Sequence, residues 1–105
     1  MQQLAHSGEQ TQARERLREE LQLCIEHPAI AECAVVGVND PEWGERVSAA
    51  VELREGRSLS LDELQRWART ELAAYKVPKA LETVGVLPRN AMGKVIKPEV
   101  AALFR

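Results

Sequence analysis

The sequence predicts a small α+β domain, built as a mixed three-stranded sheet with helices packed on its faces. Periodicity and turn residues give the element order helix, strand, strand, helix, strand, helix. The first two strands are joined by a short loop, which favours antiparallel pairing, and the helix before the third strand permits a parallel crossover. The 105 residues leave room for one domain, which we place at residues 11–105 after a polar tail, residues 1–10, expected to be frayed or disordered.

The first helix and the first strand are predicted from apolar patterning. The helix covers residues 11–26, and Pro28 ends it because the residue before a proline avoids helical geometry. Its apolar face is expected to comprise Leu17, Leu21, Cys24 and Ile25. The nearly continuous apolar run of residues 31–38 then predicts a strand that is covered on both faces.

The second strand and the second helix each carry one apolar face. The strand is predicted over residues 46–53, where alternation places on one side Val47, Ala49, Val51 and Leu53. The helix is predicted from Ser60 to about Ala74, because Ser60 and Glu63 have the spacing of a capping box and an apolar stripe follows. That stripe comprises Leu61, Leu64, Ala68 and Leu72.

The C-terminal part is predicted to add one more strand and one more helix. The strand covers residues 81–87. Pro98 is well placed to begin the helix, which we expect to run through Leu103 and Phe104, because proline is tolerated at the first helical position.

Composition and charge argue against several classes of function. The formal net charge is −2, and only two Trp, one Tyr and one Phe are present, so a nucleic-acid-binding module is disfavoured. Cys24 and Cys33 form no C-x-x-C pair and the two histidines lie far apart, so we expect no metal site and interpret the thiols as small apolar side chains. No apolar run is long enough to span a bilayer and the N-terminus lacks a secretory pattern, so we expect a cytoplasmic protein.

The segment with the clearest chemistry is Pro88-Arg89-Asn90-Ala91-Met92-Gly93-Lys94. Proline stiffens its start, and asparagine and glycine permit a tight turn. The lysine at the end of the turn can hold an ammonium group out from the domain, where it could meet a phosphate. A P-loop is excluded, because that motif needs glycine where Pro88 stands and serine or threonine where Val95 stands. A solvated surface lysine is the alternative interpretation.

This segment resembles the terminal lysine motif of the AMP-forming acyl-CoA synthetase and adenylation-domain superfamily. From about His27 to Leu103 the chain is similar to the C-terminal lobe of acyl-CoA synthetases. Three further segments resemble segments of that lobe and follow one another in the same order as in the family. They are His27 to Val38, Asn39 to Arg46, which contains Trp43-Gly44-Glu45, and Leu72 to Pro78, which contains Tyr75-Lys76-Val77. The Pro-Arg-Asn form resembles acyl-CoA synthetases more than peptide-synthetase adenylation domains or luciferases. In its general character the sequence is most similar to the malonyl- and medium-chain-type enzymes.

The sequence also departs from the family pattern. The lobe normally begins with a hinge and a Gly-Gly hairpin, and residues 1–12 contain no such pair. The large N-terminal lobe, which carries the phosphate-binding loop, the adenine site and the acyl pocket in the family, is absent from this sequence. We therefore expect the chain to correspond to the smaller lobe alone.

The resemblance implies roles for individual residues. Lys94 is the lysine that assists adenylation, in which a carboxylate attacks the α-phosphate of ATP, and Gly93 lets the backbone approach closely. Lys76, Arg46 and Arg89 are candidate contacts for the phosphates of CoA, with plain surface charge as the alternative interpretation.

The resemblance also implies partners. ATP with Mg, CoA, a carboxylic acid and the large N-terminal lobe belong to the complete enzyme. The isolated chain is expected to bind no cofactor and to be inactive. Trp43 could stack on adenine, although a half-buried loop anchor is the alternative. The alternative function is a stand-alone binding or regulatory module that docks on a large adenylation lobe or another protein without catalysis.

Overall fold

The elements follow one another along the chain in the predicted order. A computed structural model describes residues 17–42 and 44–105. The elements are α1 (Arg18–Glu26), β1 (Ile30–Asp40), β2 (Gly44–Leu53), α2 (Leu61–Arg69), a 3-10 turn (Ala74–Lys76), β3 (Ala80–Thr83) and α3 (Lys97–Ala102). The predicted tail at residues 1–10, the predicted helical residues 11–16 and Trp43 lie outside the described residues. No helix in the described ranges is long and apolar enough to cross a membrane.

The sheet has β2 at its centre, between β1 and β3. β1 and β2 pair antiparallel, with Val35 opposite Ala49 in the middle of the ladder. β2 and β3 pair parallel through the crossover that contains α2, in the register Val51 opposite Thr83. The predicted mixed three-stranded sheet of an α+β domain is thus confirmed.

Two apolar cores lie on opposite faces of this sheet, because successive strand side chains point to opposite sides. The first core, toward α1 and α2, includes Cys24, Cys33, Val35, Val47, Ala49, Val51 and Leu64. The second core, toward α3, includes Ala34, Val36, Val38, Ala50, Leu87 and Val100. The prediction that the first strand is covered on both faces is therefore confirmed, as is the shared face of Val47, Ala49 and Val51.

The apolar face predicted for α1 was wrong at one position. Ile25 is 46% exposed, whereas Leu23 is buried with Ala68 and Val77 in a third cluster. The reason is that α1 packs against α2 as well as the sheet, and the Trp67 indole Nε1–H donates to the Leu23 carbonyl at 3.0 Å. This docking rotates the buried side of α1 toward Leu23 and away from Ile25.

Three elements end earlier than predicted. α3 ends at Ala102 and does not include Leu103 and Phe104. α2 ends at Arg69 and not near Ala74, because the Thr70 hydroxyl donates to the Trp67 carbonyl and the last backbone bonds tighten to three-residue spacing. β3 ends at Thr83 and not at Leu87. The Leu87 N–H donates to a Glu52 carboxylate oxygen at 2.8 Å, so the chain leaves the ladder and Leu87 enters the second core.

The capping box of α2 yields a stability prediction. The Glu63 N–H donates to Ser60 Oγ at 3.1 Å, and the Ser60 N–H donates to Glu63 Oε1 at 3.0 Å. We expect Ser60→Ala to lower the free energy of unfolding by about 1 kcal/mol, because the first turn of the helix loses a hydrogen-bond acceptor. Urea denaturation measures the change. Ser58→Ala, an exposed residue before the helix, is the matched control and should have little effect, and equal losses in the two variants would contradict this assignment.

Candidate functional site

The predicted lysine segment forms a narrow hairpin, residues 89–95, which we call the lysine loop. Arg89 and Val95 pair in an isolated antiparallel bridge. The Asn90 N–H donates to the Lys94 carbonyl at 2.9 Å, which closes the hairpin just before its end. The loop is therefore held by backbone pairing at its base.

Asn90 and Gly93 form the turn itself. Asn90 Oδ1 accepts two backbone hydrogen bonds, from Met92 N–H at 2.9 Å and from Lys94 N–H at 3.0 Å. Gly93 has φ +83°, in the left-handed region where a residue with a Cβ is strained, and its N–H donates to the Asn90 carbonyl at 2.9 Å. The two residue types named from the sequence are thus the ones that shape this turn.

The side chain of Lys94 points away from the domain. It is exposed, and within the described part of the chain its ammonium group has no hydrogen-bond or ion-pair partner. Met92, two residues earlier, is 83% exposed. The loop therefore presents one cation and one apolar side chain to its surroundings.

Arg89 is engaged within the domain. Its Nη2 lies 3.7 Å from a carboxylate oxygen of Glu32 and 3.7 Å from one of Glu52, and its Nη1–H donates to the Gly93 carbonyl at 3.2 Å. This geometry ties the guanidinium to the sheet and to the lysine loop together, and it favours a structural use of Arg89 over a free phosphate ligand.

Arg46 lines a separate pocket of about 610 Å³, and Lys76 is not among the residues that line it. The pocket is lined by residues that include Arg46, Val47, Tyr75 and Lys79. Arg46 Nη1 lies 3.8 Å from Asp40 Oδ2. Lys76 Nζ donates to Glu19 Oε2 at 3.0 Å, and this hydrogen bond raises the pKa of the Lys76 ammonium. Both cations are therefore in contact with carboxylates, but only Arg46 lines the pocket.

The predicted site residues form two groups, and the fold keeps them apart. Gly93, Lys94 and Arg89 share the lysine loop. Arg46 and Glu52 both lie on β2, about 20 Å apart along the strand at a rise of about 3.4 Å per residue. Glu52 in turn contacts Arg89. A single phosphate group therefore cannot touch both groups.

Sequence reasoning missed Glu52. It lies on β2 between the buried Val51 and the half-buried Leu53, and its side chain is 20% exposed. Two features of the sequence could have indicated it. A carboxylate stands inside an alternating strand, on the face opposite Val51, and a candidate arginine that could pair with it follows further along the chain. Trp43, considered for adenine stacking, lies outside the described residues.

A sequence model of a known family matches most of the chain. The family is described as the AMP-binding enzyme C-terminal domain, and the match covers residues 22–94 and so includes the lysine loop through Lys94. The mitochondrial malonate–CoA ligase of Homo sapiens is 55% identical over 80 residues, which cover 76% of this chain and 14% of that protein. A feruloyl-CoA synthase from Amycolatopsis is 46% identical over 78 residues, which cover 74% of this chain and 16% of that protein.

Solved structures give the same picture. The amide bond synthetase of Marinactinospora thermotolerans superposes with a TM-score of 0.74 at 36% identity, over 79% of this chain and 17% of that one. The o-succinylbenzoate CoA synthetase of Bacillus subtilis, solved with a product analogue, gives a TM-score of 0.70 at 33% identity, over 77% of this chain and 16% of that one. In each comparison the chain corresponds to a small part of a much longer protein.

The turn geometry yields a prediction for Gly93. A Cβ built there meets nothing within 4 Å, so the cost of Gly93→Ala comes from its positive φ alone. We expect a loss of about 1–2 kcal/mol in the free energy of unfolding, measured by urea denaturation. Gly85→Ala is the matched control, because Gly85 has equal space but no positive φ, and it should stay within about 0.5 kcal/mol. An unchanged stability in Gly93→Ala would contradict the strained turn.

Proposed function

Because this chain belongs to the family of AMP-binding enzyme C-terminal domains, we propose that it acts as the smaller lobe of an AMP-forming acyl-CoA ligase. ATP, CoA and a carboxylic acid are the ligands that the family implies for the complete enzyme, with ATP and the acid held on a large N-terminal lobe. The single observation that carries the proposal is the Lys94 ammonium, which is exposed, without a partner among the described residues, and mounted on a hydrogen-bonded hairpin.

Lys94 would act in the first half-reaction. A carboxylate oxygen forms a bond to the α-phosphorus of ATP, the bond from that phosphorus to the bridging oxygen breaks, and pyrophosphate leaves with the electron pair. Negative charge is redistributed over the phosphate and carboxylate oxygens during this step. A fixed ammonium at that place stabilises the transition state more than the ground state. The exposed position of Lys94 allows it to enter a site formed by another body of protein.

Arg46 and Lys76 would act in the second half-reaction, in which the CoA thiol attacks the acyl-adenylate. We propose that Arg46 contacts a phosphate group of CoA at the pocket near Tyr75, and that Lys76, the next residue after Tyr75 in the chain, contacts another phosphate group. Lys76 is bonded to Glu19, but an ion pair at the surface contributes little to stability, so an anionic ligand can compete for it. The separation of about 20 Å along β2 between Arg46 and Glu52, which contacts Arg89, supports a lobe that turns a different face to the large lobe in each half-reaction.

The large lobe would bind the acyl substrate and determine its identity, because the resemblance assigns no residue of the described chain to an acyl pocket. The expectation of a cytoplasmic location stays a prediction, and the human relative carries a mitochondrial location in its name.

A comparison of the two half-reactions tests the role of Lys94. In a ligase whose own C-terminal lobe is replaced by this chain, Lys94→Ala should slow ATP–pyrophosphate exchange by about 100- to 1,000-fold, because one charge contact to the transition state is lost. Thioester formation from a supplied acyl-adenylate should be nearly unchanged, because Lys94 is remote in that arrangement.

Lys97→Ala is the matched control, since it removes an exposed lysine three residues further along the chain. It should leave both half-reactions intact. Equal losses of both half-reactions in Lys94→Ala would contradict the assignment. Tight docking of the chain on a large lobe with no exchange activity would favour the alternative of a binding module.

A further inference from the structure

We propose that Glu52 positions Lys94, acting through Arg89 and the backbone of the lysine loop. The inference rests on the proposed function for its consequence in catalysis, but its physical content concerns this chain alone. Glu52 belongs to β2, the central strand, so it is attached to the most deeply buried part of the fold. The lysine loop, in contrast, is mostly exposed.

Glu52 makes contact with the chain at two points before Lys94. One carboxylate oxygen accepts the Leu87 N–H at 2.8 Å, which fixes the backbone where it leaves the sheet. The same oxygen lies 3.7 Å from Arg89 Nη2, at the base of the lysine loop. A single half-buried carboxylate therefore holds both the segment that enters the loop and the cation at its base.

The contact continues from Arg89 to the peptide group that joins Gly93 to Lys94. The carbonyl of this peptide group accepts a hydrogen bond from Arg89 Nη1 at 3.2 Å. Its N–H belongs to Lys94 and donates to Asn90 Oδ1 at 3.0 Å. Because both polar ends of the group are bonded, its plane cannot rotate freely, and the direction in which the Lys94 side chain leaves the backbone is fixed.

Glu32 provides an internal comparison. It also lies 3.7 Å from Arg89 Nη2, so the two carboxylates offer the same charge at the same distance. The Glu32 side chain is 60% exposed, whereas that of Glu52 is 20% exposed, and only Glu52 also bonds the Leu87 N–H. Solvent screens the exposed pair more strongly, so Glu52 is expected to hold Arg89 and Glu32 is not.

Fixing this direction matters for the proposed chemistry. A charge stabilises a transition state efficiently only when it is already in place, and a displacement of about 1 Å can slow a reaction by about 100-fold. A lysine on a loose hairpin would have to be ordered in each catalytic cycle. The contacts of Glu52 and Arg89 order the backbone in advance, so that only the side-chain torsions of Lys94 remain to be ordered.

Backbone dynamics of the isolated chain test the inference directly. We expect ¹⁵N relaxation order parameters of about 0.85 for the Gly93 and Lys94 amides, and values below about 0.6 in Arg89→Ala. Glu52→Gln, which keeps an acceptor for the Leu87 N–H but removes the charge, should lower both order parameters. Glu32→Gln is the matched control and should leave them unchanged. Unchanged values in Arg89→Ala, or equal decreases in the two Glu→Gln variants, would overturn the inference.

A kinetic measurement separates this inference from the proposed function. In the ligase that carries this chain as its lobe, Arg89→Lys should slow ATP–pyrophosphate exchange by about 10- to 100-fold, because lysine cannot bridge a carboxylate and a carbonyl as guanidinium does. The KM for ATP and thioester formation from acyl-adenylate should stay close to their unmodified values. If the Gly93 and Lys94 amides become mobile in Arg89→Lys but ATP–pyrophosphate exchange is unimpaired, the positioning role of Glu52 is retained and the catalytic role of Lys94 is contradicted. Slower thioester formation to the same degree would overturn positioning and indicate a general structural defect.

Discussion

The rest of the structure depends on the burial of β2 on both of its faces. Ala49, Ala50 and Val51 are fully inaccessible, and alternate side chains of the strand enter the two opposite cores. Apolar burial of this kind is the main favourable contribution to folding, so β2 is the most firmly held element of the domain. β1, β3 and the helices are arranged around it, and the lysine loop is anchored to it through Glu52. The exposed Lys94 is therefore carried by a loop that contacts the most deeply buried strand.

Much of this fold could be predicted because its signals are local. The alternation of Val47, Ala49 and Val51, the apolar run of β1 and the Ser60–Glu63 cap each depend on residues close together in the sequence. The pairing directions follow from connection lengths, since a short loop allows an antiparallel pair and a crossover helix allows a parallel one. The turn at Gly93 could equally be predicted from the sequence, because its φ of +83° depends on a few neighbouring residues.

The features that the sequence did not reveal depend on distant contacts. The exposure of Ile25 follows from a hydrogen bond between Trp67 and the Leu23 carbonyl, which joins two helices. The early end of β3 and the ion pair of Arg89 both involve Glu52, on a strand far from either in sequence. The same holds for the division of the cations into two groups, because their separation is set by the length of β2. Periodicity contains no information about such partners.

The central claim is that a supported hairpin offers the Lys94 ammonium to a nucleotide held on another body of protein. The most direct measurement is a crystal structure of this chain joined to a large lobe of the family with a non-hydrolysable acyl-adenylate bound. We expect Lys94 Nζ to lie within hydrogen-bonding distance, about 2.7–3.2 Å, of a phosphate or acyl oxygen of the ligand, with the lysine loop closed by the same backbone hydrogen bonds. An ammonium turned toward solvent or paired with a carboxylate of its own lobe, in a complex whose ligand is fully enclosed, would contradict it.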